Sequence, residues 1–283
     1  MMSEITSYSK VREYCANYGW AMMHRVFHYR HVFGEPSIKN GWLIYASDRS
    51  IVVVGYPLSP LNAQIPCGVA DIAIWAMSEL KIRPQTIVYW GTHAPKIDFI
   101  PGYQLKSAAK RPQFYQNDIL SIDADATKIL YERRDIRRSF REGYRSIITY
   151  GLIEGIGDLA NRFISEKKGQ LEVDDFWYID ALDKVISDVD SVIIGATTTH
   201  LQGAIVLSVA PPFPVYLYGF FPRGSKWAST FLYFNMIKYC VDMGFDRIDL
   251  GYSPSDSLRS YKSKWGAVHG LGVPWEIIFE KRL

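Results

Sequence analysis

The pattern of apolar and polar positions is most regular in the stretch from Phe221 to Val268. Between 228 and 243 the apolar residues recur at helical spacing, which predicts a long helix. Three polar residues form a narrow stripe along it, namely Asn235, Lys238 and Asp242. So narrow a stripe is typical of a helix that packs against a sheet over most of its circumference. Gly244 occupies the position of a left-handed C-terminal cap, so the helix is predicted to end there.

The remaining pattern predicts strands separated by a few helices. Residues 51–54 form an unbroken apolar run, as in a strand buried on both faces, and residues 247–252 alternate as in a strand with one wet face. A helix is expected at 69–80 and further strands at 41–45, 86–90, 191–196, 203–209 and 215–220. Both halves thus run antiparallel strands into a helix and out into another strand. This order predicts a mixed α+β fold of largely antiparallel sheets with packed helices, although no sequence repeat is visible.

The segment from 126 to 144 links the two halves and is rich in arginine. One helical face carries Arg134, Arg138, Arg141 and Arg145, and Arg133 and Arg137 form a neighbouring pair. Acidic residues are interleaved, so ion pairs such as Arg138–Glu142 can form along the helix. Two interpretations remain open. The face is either a solvated, salt-bridged surface or an anion site, since guanidinium groups match phosphates and carboxylates.

Composition narrows the class of protein. The chain has 283 residues, of which 48% are hydrophobic and 22% charged, as in a soluble globular protein with a sizeable core. A net charge of +3 is too small to imply nucleic acid unless the charge is locally concentrated. The three cysteines lie far apart without CxxC spacing, which indicates free thiols in a reducing compartment. Because no membrane-spanning run and no signal-peptide core is visible, a cytoplasmic location is expected.

A metal site is not expected. His24, His28 and His31 share one helical face, which is a spacing that can bind a metal. No carboxylate or cysteine lies nearby to complete such a site, and the intervening residues suit a strand equally well. A surface or packing role for these histidines is the expectation.

Two short motifs carry a resemblance to a known family. The predicted strand contains Ile248-Asp249-Leu250-Gly251, and a later segment reads Tyr261-Lys262-Ser263-Lys264-Trp265-Gly266. Together they resemble the C-terminal part of Fem-type aminoacyltransferases and the related acyltransferases of the GNAT superfamily. The basic run Arg133–Arg138 also resembles the segment at the junction of the two Fem halves. The resemblance covers roughly residues 130 to 268 of this chain.

This resemblance implies two GNAT-like halves side by side. They would comprise residues 1–125 and 147–283, joined by a basic helix at 126–146. It also implies transfer of an acyl or aminoacyl group onto an amine acceptor. The donor would be an aminoacyl-tRNA, with a contact to RNA, or an acyl-coenzyme A, and no cofactor would be bound permanently. The alternatives are a coenzyme A-dependent N-acetyltransferase of a small molecule and a non-catalytic relative that binds RNA or another ligand.

The candidate catalytic residues are Lys264, Lys262 and Asp249. Acyl transfer requires a positioned donor, a stabilised oxyanion and an amine that loses a proton, and it requires no covalent intermediate. On a strand the two lysines would share a face, whereas a helical turn would separate them. They could instead be surface lysines beside a core tryptophan. Asp249 is either a base or amine anchor, or an ion-pair partner of Arg247 or Lys262.

The candidate donor-binding residues are Arg223, Lys226, Arg137, Arg138 and Tyr261. Arg223 and Lys226 precede the long helix, where GNAT enzymes hold a pyrophosphate on backbone N–H groups. Lys226 stands where those enzymes have a glycine, which weakens the case for coenzyme A. The other interpretation of this segment is a plain exposed loop.

Overall fold

The fold is described from a computed structural model. It describes residues 33–34, 36–39, 42–55, 68–91, 97–110, 117–167, 182–209, 213–253, 255–269 and 275–282. The three histidines of the candidate metal face, as well as Cys15 and Cys67, lie outside these ranges. Cys240 is described, and it is buried with a free thiol.

Two mixed sheets organise the chain. The first has six strands in the order β1-β2-β3-β4-β13-β5. Its members are β1 (Ser37–Lys39), β2 (Trp42–Ala46), β3 (Ser50–Gly55), β4 (Thr86–Gly91), β5 (Tyr103–Lys110) and β13 (Trp275–Lys281). The apolar run at 51–54 lies in β3, an interior strand, as its pattern predicts. Strand β3 pairs in parallel with β4, and the other pairs in this sheet are antiparallel.

The second sheet has seven strands in the order β12-β6-β11-β10-β9-β8-β7. Its members are β6 (Asn117–Ser121), β7 (Ile147–Tyr150), β8 (Ser191–Thr197), β9 (Leu201–Ser208), β10 (Val215–Phe220), β11 (Arg247–Tyr252) and β12 (Val268–His269). Strands β10 and β11 are parallel, and the other pairs are antiparallel. The mixed, largely antiparallel α+β fold predicted from the sequence is therefore confirmed.

Seven helices in the described ranges complete the fold. They are α1 (Val69–Glu79), α2 (Ala126–Tyr131), α3 (Arg134–Glu142), α4 (Ile156–Lys167), α5 (Leu182–Ile186), α6 (Lys226–Asp242) and α7 (Asp256–Ser263). A 3-10 turn at Arg223–Ser225 leads into α6. None of the described helices combines the length and the apolar character that a membrane crossing requires.

The two sheets exchange strands. Strand β6 precedes the arginine-rich segment in sequence, yet it lies in the second sheet between β12 and β11. Strand β13 follows every strand of the second sheet, yet it lies in the first sheet between β4 and β5. Each half therefore supplies one strand to the sheet of the other, and the domain limits at 126–146 stay a prediction.

Helix α6 forms the core of the second half. Phe231 and Ile237 are buried, as the narrow polar stripe predicts. The helix passes so close to β9 that a Cβ added at Gly203 would lie 3.2 Å from the Ala228 Cβ. Within the stripe, Lys238 and Asp242 form an exposed ion pair one turn apart. Asn235, also in the stripe, is buried and donates a hydrogen bond of 2.8 Å from its side-chain amide to the Phe231 carbonyl. Gly244 has a φ of 80°, which confirms the left-handed cap.

Candidate functional site

The second sheet opens where β10 and β11 meet. These parallel strands share a single registered pair, Val215 with Asp249, near the start of β10. Beyond it, β10 carries an irregularity between Tyr216 and Tyr218 in its pairing with β9. Since the registered pairing stops there, the C-terminal ends of the two strands are free to diverge. Such a gap between parallel strands is a position at which ligands bind in sheets of this kind.

Lys262 lies beside this opening, in the last turn of α7. Only 2% of the residue is exposed. Its Nζ atom donates to the Gly251 carbonyl at 2.9 Å and lies 3.4 Å from Asp118 Oδ2. Asp118 is itself buried and accepts a hydrogen bond from the Ser253 hydroxyl. The lysine thus joins the end of β11 to β6, the strand contributed by the first half of the chain.

Burial sets the protonation chemistry of Lys262. Removal of the ammonium from water lowers its pKa to about 8, while the charges of Asp118 and Asp249 oppose that shift. A lysine with this pKa is largely protonated at neutral pH, and it loses its proton at a pH only slightly above neutral. It can therefore supply a positive charge inside the protein at neutral pH.

Asp249 shapes the backbone at the opening. The residue is fully buried, and its Oδ1 atom accepts the Gly251 N–H at 2.7 Å. Gly251 has a φ of 67°, in the left-handed region that favours glycine. Arg247 and Lys262 are the two predicted ion-pair partners of Asp249. The charge of Asp249 acts on Lys262, whose pKa it raises. Arg247 instead pairs with its neighbour Asp246 at 2.9 Å.

Lys264 is separated from Lys262, because α7 is a helix and not a strand. It is the C-cap of α7, and its side chain is exposed. Its carbonyl accepts a hydrogen bond of 2.5 Å from Arg133 Nη1. The Arg133 guanidinium also lies 4.9 Å above the centre of the Trp265 ring. Arg133 therefore attaches the start of α3 to the lysine motif.

Tyr261 belongs to an aromatic cluster between α6 and α7. Its ring lies 5.1 Å from that of Tyr233, edge to face, and Tyr233 stacks on Trp265 at 5.5 Å. Tyr216 of β10 completes the cluster, 5.4 Å from Tyr233. Burial raises the pKa of Tyr261 and Tyr233, so both phenols stay neutral. A Cβ at Gly219 would lie 1.7 Å from the Tyr216 hydroxyl, so a larger residue there would have to displace this ring.

The loop before α6 holds a carboxylate of the protein itself. The backbone N–H of Arg223 donates to Glu166 Oε2, on α4, at 2.7 Å. Ser225 is buried, and its hydroxyl donates to Gln202 Oε1 at 2.8 Å. Lys226 is the first residue of α6, and its side chain lies outside the described part of the protein. An internal anion thus occupies one N–H group of the loop in which a phosphate would be expected.

The arginine-rich face of α3 is partly neutralised. Arg138 pairs with Glu142 at 2.6 Å and Arg133 with Asp135 at 2.7 Å. The hydrogen bond from Arg133 lowers the pKa of the Asp135 carboxyl. Three exposed arginines make no ion pair with any residue in the described ranges, namely Arg134, Arg137 and Arg141. This face borders an open depression of about 850 Å³. The face is therefore salt-bridged in part, and anion binding by the remaining arginines stays a prediction.

Another depression, of about 630 Å³, lies at the far edge of the second sheet, against β7 and α4. None of the candidate residues lines it. Among the described residues, no group of three or more His, Cys, Asp or Glu side chains is arranged to hold a metal.

The parts that Asp118 and Arg133 play in the site were not predicted from the sequence. Asp118 is 135 positions before its partner Ser253, and no local signal places β6 beside β11. Arg133 was visible as part of the basic run, but its contact with the Lys264 carbonyl depends on how α3 meets α7. The sequence motif named Lys262 as a candidate, although it favoured Lys264.

The chain shares its fold with FemX, with L-PGS and with a tandem GNAT protein. Among solved structures, L-PGS from Bacillus licheniformis is similar with a TM-score of 0.52 and 10% identity, over 99% of this chain and 94% of that one. FemX is similar with a TM-score of 0.51 and 13% identity, over 86% of each chain. A tandem GNAT protein from the clavulanic acid biosynthesis pathway has a TM-score of 0.50 and 8% identity, over 87% and 82%. No family model and no curated protein matches the sequence.

Proposed function

We propose that this protein is an acyltransferase that moves an acyl or aminoacyl group onto an amine acceptor. The observation that carries the proposal is the buried ammonium of Lys262, held against Gly251 and Asp118 where β10 and β11 part. Proteins of known acyl-transfer classes share the fold, and this supports the reaction type. The amine acceptor and a cytoplasmic location stay predictions.

Each residue has a part in the proposed reaction. The tetrahedral transition state places negative charge on the carbonyl oxygen of the donor, and a positive group in a site without water stabilises that charge strongly. Lys262 holds an ammonium beside the end of β11, and in this proposal that charge faces the donor carbonyl in the transition state. Asp118 holds the ammonium in position and favours its charged form. Asp249 fixes the Gly251 backbone, so it acts through the shape of β11.

The donor that the site favours is an aminoacyl-tRNA. A coenzyme A pyrophosphate would meet the Glu166 carboxylate at the Arg223 N–H, and two anions repel at that distance. The arginines of α3 offer phosphate-binding groups, and Arg133 connects that face to the Lys264 turn. In this proposal Arg137 and Arg138 contact the tRNA backbone.

Replacement of the two lysines tests the reaction. We expect Lys262→Met to lower turnover by about 10²–10³, since it removes an oxyanion-stabilising donor. Lys264→Met is the matched control, because its exposed side chain lies outside the buried cluster, and it should keep near-wild-type turnover. Lys262→Arg, which retains the charge, should recover part of the rate. Near-wild-type turnover in folded Lys262→Met would refute the catalytic role.

Donor binding tests the choice of substrate. Purified protein is titrated with charged tRNA, uncharged tRNA and acetyl-coenzyme A at two salt concentrations. We expect tRNA to bind with a steep dependence on salt, because phosphate contacts release counterions, and we expect no saturable binding of acetyl-coenzyme A. Saturable acetyl-coenzyme A binding by the wild type would favour the N-acetyltransferase alternative, and tRNA binding without any transfer would favour the non-catalytic one.

A further inference from the structure

Arg259 is a cation whose buried donors have no acceptor among the described residues. It lies in the middle of α7, and its residue as a whole is partly buried. Its Nε and Nη2 atoms are both shielded from solvent and make no hydrogen bond to the described residues. No other lysine or arginine among those residues has such donors. Buried polar groups in proteins are nearly always hydrogen-bonded, and a buried charge even more so.

The geometry of these two atoms is specific. Nε–H and Nη2–H point in parallel from one edge of the guanidinium, and this fork matches the two oxygens of a carboxylate or phosphate. Asp256 precedes Arg259 by three residues on the same helix, but it forms no ion pair with it within the described ranges. The fork is therefore buried without an anionic partner among the described residues.

Arg259 also has a defined position relative to the proposed reaction. It precedes Lys262 by three residues, and residues three apart lie on neighbouring positions of one helix face. A group bound at the fork would thus lie on the side of α7 that carries the buried ammonium.

We infer that Arg259 is a binding site for a carboxylate or phosphate group of the substrate, one helical turn from Lys262. The substrate is then a molecule that carries an oxyanion close to its reacting group. The identity of the ligand as a substrate rests on the proposed acyl transfer, whereas the binding of an oxyanion does not.

Anion-dependent thermal stability tests this site without turnover. The thermal midpoint is measured in sodium phosphate, sodium acetate and sodium chloride at constant ionic strength and pH. For the wild type, we expect phosphate or acetate to raise the midpoint saturably above the chloride series, because a ligand of the folded state stabilises it. The arm that saturates at the lower concentration names the chemistry, phosphate or carboxylate.

Two variants and one control assign the effect to Arg259. Arg259→Gln should weaken the apparent affinity at least about tenfold, as expected for loss of a charge-assisted hydrogen bond. Arg259→Lys keeps the charge but loses the fork, so it should also weaken binding. If the glutamine variant does not fold, the lysine variant alone tests whether Arg259 binds the anion. Arg247→Gln, at an exposed arginine paired with Asp246, should respond like the wild type.

Two results would overturn the inference. They are a wild type that responds equally to all three salts and an Arg259→Lys variant that responds like the wild type. Loss of acyl transfer with every donor would leave the anion site in place while it removed the proposed function, so the two failures are distinguishable.

Discussion

Lys262 carries its charge inside the protein with help from Asp118, Asp249 and the Gly251 carbonyl. Its pKa is about 8 in the folded protein against an ordinary 10.5, so between these pH values the unfolded chain holds a proton that the folded chain has lost. Stability therefore rises with pH across that window, because the unfolded state binds more protons there. The contribution is absent below pH 8 and complete above 10.5.

We expect the free energy of unfolding of the wild type, relative to Lys262→Met, to increase by up to about 3 kcal/mol across this window. Urea unfolding of both proteins at closely spaced pH values measures it. A difference that stays flat with pH would show that Lys262 keeps an ordinary pKa when folded.

The transfer rate should depend on pH in the opposite sense. Deprotonation of Lys262 removes the positive charge used in the proposed reaction, so the rate of the wild type should fall relative to Lys262→Arg above about pH 8. The ratio of the two rates cancels the ionisation of the amine acceptor, which both proteins share. A constant ratio from pH 6 to 10 would contradict a role for the lysine charge.

The residues of the site were only partly predictable. The motif at 261–266 identified Lys262, but whether it or Lys264 points inward depends on the helical state of 256–263. A six-residue motif fits a strand and a helix nearly equally well. Asp118 was out of reach, because a buried aspartate is recognised by its partner, and its partner lies in the other half of the chain.

Helix α6 is the element on which the second half packs. Phe231 is 5% exposed, and its ring contacts those of Phe140 and Trp227 at 4.8 and 5.5 Å. Phe231→Ala should therefore lower the free energy of unfolding by about 3–5 kcal/mol, since it removes buried surface and leaves a cavity. The measurement is the free energy of unfolding in urea.

Lys238→Ala on the same helix is the matched control. This substitution breaks only an exposed ion pair with Asp242, so it should lower the free energy of unfolding by less than about 1 kcal/mol. Equal losses for the two variants would mean that the face of the helix has been misassigned.

Single elements were more predictable than the site. The period of the apolar residues identified α6, its capping glycine and the strand after it, because these depend on neighbours in sequence. The contact of Glu166 with the Arg223 N–H was not predictable, since it depends on how α4 lies against the loop before α6.

At the scale of the whole molecule, the exchange of β6 and β13 ties the halves together. Strand β13 pairs with both β4 and β5, and its Ile277 and Phe279 are buried. Strand β6 in turn carries Asp118 to Lys262. The order of strands in sequence predicted two halves. It did not indicate that each sheet contains one strand from the opposite half of the chain.

Two co-expressed fragments, 1–125 and 126–283, should therefore purify as a stable complex. Each fragment holds one strand that the other needs, and an unpaired strand edge is costly and prone to aggregate. Co-purification through a tag on one fragment, followed by size-exclusion chromatography, measures the association. Two fragments that separate as folded monomers would show that the halves are independent domains.

The exchange also has a consequence for synthesis on the ribosome. Strands β1 to β5 are made early, but the place between β4 and β5 stays vacant until β13 emerges as the last of the described strands. Nascent chains grow at about 5–20 residues per second, so β4 and β5 wait roughly 10–30 seconds with their facing edges open. Such a chain cannot complete its first-made sheet in vectorial order, so the facing edges of β4 and β5 stay unpaired until β13 is made.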